Sequence, residues 1–316
     1  MNLEDVLAAH ERVKAHIVHT PVMTSTTIDK LTGCKVYFKC ENFQRVGAFK
    51  FRGALNAVSL LSEDEKARGV VTHSSGNHAQ ALALAATTLG VKSTIVMPRN
   101  SPKVKVEATR GYGGDIVFCE NNVTSRVETA NKLVDEMGYT LIHPYNDERI
   151  IAGAGTAALE LMNEFGPFDA VVAPVGGGGL LSGTSIAVKG LSSETQVVAG
   201  EPENADDAYR SLRDGVIHPS VNPNTIADGL RTNLGEITFK IIREYVTRIV
   251  TISESEILNA MRLLWERMKL VVEPSGAVSL GALIRIAPEF QGKKMGVIIS
   301  GGNVDLDAFF RTYQVN

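Results

Sequence analysis

Cysteine is scarce in this sequence. Cys34, Cys40 and Cys119 are its only three, and no two stand in CxxC spacing. So sparse and odd a set excludes a disulfide-stapled scaffold and points to reduced thiols in a cytoplasmic protein. Long hydrophobic runs are missing as well. No apolar stretch approaches the ~18 residues of a membrane span, so no membrane association is expected. Excess charge of one sign is also absent: 32 Lys and Arg stand against 35 Asp and Glu, scattered along the chain. That leaves no basic footprint for nucleic acid and no charged tail. The N-terminal MNLEDVLAAHERVKAH reads as an amphipathic helix, and its Glu4, Asp5 and Glu11 are foreign to a signal peptide. The seven histidines form no HExxH, and no GxSxG elbow anchors a hydrolase triad.

What is present suits a large globular protein. The 316 residues exceed one average domain, with 44% hydrophobic and 21% charged residues. Short apolar runs alternate with helical patterns. Strands are expected at Val36–Cys40, Val70–His73, Ser93–Met97, Asp115–Cys119, Thr140–His143, Ala170–Val175, Gln196–Gly200, Arg248–Ile252 and Met295–Ser300. Several are apolar throughout, as in strands buried on both faces. Ser253 with Glu256 forms a capping box opening a helix over Glu254–Met268. Ser62 with Glu65 has the same spacing but reads as the end of the preceding helix. The alternation predicts α/β with parallel sheets. Segment 70–145 holds its own four-strand unit, which suggests a small domain over 69–146 inserted into a large one built from 1–68 and 147–316. A cleft between such domains is a preferred ligand site.

Five stretches carry chemistry. In NFQRVGAFKFRGA, Lys50 stands between Phe49 and Phe51 among small residues. A lysine held away from water has a lowered pKa and offers a free amine. HSSGNHAQAL follows a strand, and Ser74, Ser75, Gly76, Asn77 and His78 form a strand-to-helix turn. Such a turn suits a substrate carboxylate or is a serine-capped turn with no ligand. His78 reads as a packing or capping residue. APVGGGGLLSG places Gly176, Gly177, Gly178 and Gly179 before a helix, a nest of N–H donors for phosphate. It is neither a Walker A loop nor GxGxxG. VIISGGNVDL puts Ser300 at a strand's carboxyl end. The acidic GEPENADD cluster is a divalent-cation candidate or a solvated helix start. Together, a phosphate nest, a carboxylate turn and a desolvated lysine point to pyridoxal phosphate, which brings both an aldehyde and a phosphate.

The sequence resembles the fold-type II pyridoxal-phosphate enzymes of the serine racemase and serine/threonine dehydratase group. The resemblance runs from KCENFQRVGAFKFRGA through SSGNHAQALA, IAGAGTAALE, GGGGLLSG, EPENADD, TIADGLR and VEPSGAV to SGGNVDL. It implies two open twisted α/β domains with mostly parallel sheets, of the tryptophan-synthase β kind, and a homodimer. It implies Lys50 as the Schiff-base lysine, Phe49 against the cofactor ring, Asn77 on its 3′-oxygen, Gly176–Gly179 on its phosphate and Ser300 on its pyridine nitrogen. Ser75 becomes the second catalytic residue, and the Ser74–His78 turn takes the substrate carboxylate. Glu201, the Ala205 carbonyl and Asp207 match a cation site for Mg²⁺, or Ca²⁺ or Mn²⁺.

The implied activity is a serine/threonine ammonia-lyase giving 2-oxo acids and ammonia, with serine racemisation. Hydroxyaspartate ammonia-lyase activity, a predominant racemase and a β-replacement synthase are the alternatives within enzymes. A non-catalytic metabolite-binding module is the alternative outside them. Arg126 is a candidate for a second substrate carboxylate and also matches an arginine of serine racemases. Arg45, Val46, Gly47 and Ala48 stand where animal serine racemases read Lys-Thr-Gly-Ser. The threonine there helps form an ATP site, so Val46 counts against an ATP effector, although Gln80 is compatible with one.

Overall fold

In a computed structural model describing residues 1–312, ten strands form two sheets. The strands are β1 (Val22–Met23), β2 (Lys35–Cys40), β3 (Val70–His73), β4 (Ser93–Pro98), β5 (Asp115–Cys119), β6 (Thr140–Leu141), β7 (Ala170–Pro174), β8 (Gln196–Pro202), β9 (Arg248–Ile252) and β10 (Lys294–Ile299). The larger sheet has the order β1-β2-β10-β7-β8-β9, the smaller β5-β4-β3-β6. Every pairing is parallel except β1 with β2. All residues of β4 and β7 are buried. Helices cover both of their faces, so neither strand alternates between an apolar and a polar side.

The helix Lys50–Ser59 joins the two sheets' surroundings. It packs on the helix Glu148–Phe165 along one side and on Asn77–Thr88 along the other. Small residues permit this approach: a Cβ on Gly153 would lie 2.6 Å from the Arg52 carbonyl oxygen. The stretch IAGAGTAALE is therefore a packing seam that fixes where the Lys50 helix sits.

Beneath that helix lies a buried ionic network. Arg52 donates to both carboxylate oxygens of Glu41 at 2.7 and 2.9 Å, and to both of Glu160 at 2.7 and 2.9 Å. Lys39 reaches Glu160 at 2.7 Å. Two cations and two anions balance, with Arg52, Lys39 and Glu41 fully inaccessible.

The sequence expectations need four corrections. Ser62 does open a helix, Glu63–Arg68, through a full capping box. The helix begun by Ser253 is α-helical to Leu263 and continues as a π-helical turn, Leu264–Met268. β6 stops at Leu141, because the Nδ1 of His143 accepts the N–H groups of Tyr145 and Asn146 and starts a turn. The two-residue β1 carries too short a pattern to be read from sequence. The three cysteines are buried and unpaired. Among the described residues no helix is long and apolar enough to cross a membrane.

Candidate active site

The loops of interest leave the carboxyl ends of strands, where open α/β sheets present ligand sites. β3 leads to Ser74–Asn77, β6 to His143–Asn146, β7 to Gly176–Gly179 and β10 to Ser300–Asn303. The Lys50 loop docks on the last of these. Phe49 N–H donates to the Ser300 carbonyl at 3.0 Å, Gly302 N–H to that of Gly47 at 2.9 Å, and Ala48 bridges Gly301. Val46 adopts φ 56° there, a strained region for a β-branched residue. Its carbonyl accepts from Asn303 Nδ2 at 2.6 Å.

Lys50 itself is partly buried. Its Nζ donates to the Pro144 carbonyl at 2.8 Å and lies 5.1 Å from the centroid of the Phe49 ring. Burial pulls its pKa down from 10.5 to about 8, against the opposing charge of Glu273. The amine therefore gives up its proton near neutrality, as a nucleophile or base must.

The helix Gly179–Leu191 begins without any side-chain cap. Its first N–H groups lack intrahelical acceptors, so the glycine loop ends in exposed donors. Gly178 has φ 89°, and a Cβ there would also sit 2.8 Å from that of Thr238. A Cβ on Gly177 would collide with the Tyr145 ring. Tyr145 thus lies against the glycine loop, and its hydroxyl's pKa is raised by burial and by Asp207. The helix Asn77–Thr88 is likewise uncapped by a side chain, with Ser74 Oγ accepting from Gly76 N–H at 3.3 Å.

Three histidines flank the site. His78 is buried with Nε2 3.3 Å from the Ile142 carbonyl, the packing role expected of it. His143 packs edge-on against both Tyr145 and His73. Its Nδ1 accepts two N–H groups, and burial lowers its pKa to about 4, so the ring is neutral. His73 is depressed by burial and by the charge of Arg126, which places that guanidinium nearby. Arg126 Nε is buried and has no hydrogen-bond partner.

The acidic cluster divides. Glu201 accepts from Ala208 N–H at 2.8 Å and Tyr209 N–H at 2.7 Å, capping the helix Asp207–Asp214. Asp207 is buried with neither carboxylate oxygen hydrogen-bonded. Burial raises Glu201 well above the usual range, aided by Asp207, and burial raises Asp207 to about 6. Among the described residues no group of three or more His, Cys, Asp or Glu side chains could hold a metal ion.

Sequence reasoning missed Glu273. It precedes Pro274 at the start of a helix, a position that reads as solvated, yet it is 5% exposed and its side chain does not cap that helix. Its Oε1 accepts from Asn77 Nδ2 at 2.8 Å, and burial together with Asp228 raises its pKa to about 8. Lys105 also escaped notice. Its ammonium meets Asp228 at 2.7 Å, linking the smaller sheet's surroundings to the TIADGLR loop. Both contacts join residues more than 100 positions apart, which no local motif encodes.

The model of the pyridoxal-phosphate dependent enzyme family matches residues 13–301. The chain belongs to this family. A β-hydroxyaspartate dehydratase of Paracoccus denitrificans is 50% identical over 304 residues, covering 96% of each chain. The crystal structure of a serine racemase from Dictyostelium discoideum superposes with a TM-score of 0.93 at 47% identity, covering 96% of this chain and 99% of that one. The crystal structure of a T.th. threonine deaminase gives 0.91 at 46% identity, covering 96% of this chain and 99% of that one.

The residues of this pyridoxal-phosphate dependent enzyme fit its cofactor. An uncapped helix start behind a side-chain-free glycine loop suits the phosphate, and a desolvated amine suits the aldehyde. The Asp207 carboxylate, buried beside Glu201, has the oxygen chemistry that would suit a divalent ion.

Proposed function

We propose that this enzyme is an ammonia-lyase for β-hydroxy amino acids, serine and threonine first, that also racemises serine. The observation carrying the reading is Lys50: a partly buried amine, titrating near 8, beside the loop that faces the glycine cradle. When bound, pyridoxal phosphate supplies the aldehyde for amine exchange and the electron sink for a carbanion at Cα. The chain supplies the rest. The uncapped Ser74–His78 turn binds the substrate carboxylate. Phe49 would pack on the cofactor ring, Asn77 would donate to its 3′-oxygen and Ser300 would meet its ring nitrogen. Lys50 would take the Cα proton, the β-hydroxyl would leave with a proton as water, and hydrolysis of the remaining C–N bond by water would give the 2-oxo acid and ammonia. Ser75 is the second acid–base group, exchanging a proton on the other face of Cα. We take residues 69–146 as the small domain closing over the substrate, with 1–68 and 147–316 as the large one. A homodimer in the cytoplasm completes the proposal.

Yields of 2-oxo acid and of each enantiomer from L-Ser, D-Ser, L-Thr and threo-3-hydroxyaspartate test this directly. Ser75→Ala is expected to lower racemisation and D-serine turnover by about 10²-fold or more, and L-serine elimination by less than about threefold. Equal losses in both would remove Ser75 from the second-base role. No product from any substrate would overturn the activity.

A second reading has its own support. The charge of Arg126 acts on His73, and the Nε of Arg126 is buried without a hydrogen-bond partner among the described residues. Hydroxyaspartate carries a second carboxylate that would pair with it. Arg126→Gln should then cut kcat/KM for hydroxyaspartate by about 10²-fold and for serine by less than about threefold. A uniform loss argues instead for a structural arginine.

Glu201, the Ala205 carbonyl and Asp207 are proposed as the divalent-cation site. Added Mg²⁺ or Ca²⁺ should raise the Tm of the wild type. Asp207→Asn should abolish that rise without lowering the metal-free Tm, since it removes an uncompensated buried charge. A full cation response in Asp207→Asn would place the ion elsewhere.

A further inference from the structure

We propose that Glu273 is a positioning residue: with Asn303 it clamps the side-chain amide of Asn77, leaving one Nδ2 hydrogen directed to the cofactor. The inference deepens the cofactor reading above and rests on Asn77 being a cofactor contact. The orientation is dictated by an anchor that cannot flip. The Val46 carbonyl only accepts, so the Asn303 group facing it at 2.6 Å is the Nδ2 donor. That same Nδ2 lies 2.9 Å from Asn77, which must present its oxygen there. Asn77 Nδ2 consequently points the other way and donates to Glu273 Oε1 at 2.8 Å. Reversing the Asn77 amide would set donor against donor at Asn303. One hydrogen of Nδ2 is used by Glu273, and the other is left for the site.

Glu273 is itself held. Its own N–H donates to the Gly301 carbonyl at 3.1 Å. A Cβ on Gly301 would lie 2.6 Å from Oε1, so the loop is shaped around this group. The charged groups facing it are Lys50, Asp228 and Lys105. Burial and the charge of Asp228 raise its pKa to about 8. The chain of contacts runs from Val46 through Asn303 and Asn77 to Glu273. It ties the Lys50 loop, the Asn77 turn and the start of the helix Pro274–Ile286 into one unit, and it gives the strained Val46 backbone a partner.

A double-mutant cycle tests the clamp, with pyridoxal-phosphate affinity and the visible circular dichroism of bound cofactor as readouts. Glu273→Ala should weaken affinity about tenfold and diminish the dichroic band, while Glu273→Gln, which keeps an acceptor oxygen, should stay within about threefold of wild type. In an Asn77→Ala background, Glu273→Ala should change affinity by less than about twofold. Asn303→Ala should behave as Glu273→Ala does, which preserves the test if Glu273→Ala does not fold. Equal losses with and without Asn77 would overturn the clamp, as would no loss in the wild-type background. A wild-type chain that takes no cofactor sinks the cofactor reading, and the clamp falls with it.

Discussion

Lys50→Ala is expected to abolish both elimination and racemisation, by about 10³-fold or more, and to remove the visible absorbance of the lysine-linked cofactor. The fold should survive. Lys50 makes one side-chain hydrogen bond, to the Pro144 carbonyl, and its partly buried ammonium costs desolvation energy. Its Tm should therefore match or exceed that of the cofactor-free wild type. The same residue predicts a pH dependence. Only the free amine attacks an aldehyde, and its fraction grows tenfold per pH unit below the pKa. Cofactor capture by the cofactor-free wild type should thus rise with pH and level off near 8, the value to which burial lowers Lys50. A lysine titrating at 10.5 would keep accelerating through pH 9 and 10. Continued acceleration would mean that Lys50 is solvated.

The second large effect concerns stability. Arg52→Ala should cost about 3–5 kcal/mol, enough to abolish a soluble fold or lower its Tm severely. Truncation leaves the Glu41 and Glu160 carboxylates buried with Lys39 as their one remaining full cation in the network. Arg52→Lys keeps the charge but cannot make two bidentate pairs at once, so it should fold with a reduced Tm. It should also bind cofactor more weakly, because Arg52 stands two residues past Lys50 on the same helix. A wild-type Tm for Arg52→Ala would contradict the view that this network sets the register of the Lys50 helix.

Much of this was legible in the sequence because the chemistry is carried by short continuous motifs. Gly176–Gly179, Ser74–His78 and Ser300 each follow an apolar strand, so their placement at strand ends could be read from order alone. Lys50 stood out because its neighbours suit a pocket better than a surface. Arg52, visible in the same motif, gave no hint of its partners, since Glu160 lies 108 residues away. Glu273 was hidden for a similar reason. Its neighbour Pro274 advertises a helix start, where a glutamate usually faces water. Only tertiary packing turns it inward to Asn77. Tyr145 and His143 were likewise invisible, because the turn that positions them replaces the end of an expected strand. The Ser62 cap is hard to read from sequence because two helices abut there within four residues, Lys50–Ser59 and Glu63–Arg68, and periodicity cannot separate them.

The central claim is that Lys50 is the amine that carries the cofactor. The most direct test is borohydride reduction of the purified protein with pyridoxal phosphate, followed by proteolysis and mass spectrometry. The account predicts one reduced pyridoxyl adduct, on the peptide containing Lys50, and none in Lys50→Ala. A principal adduct on another lysine, or no adduct at all, would contradict it.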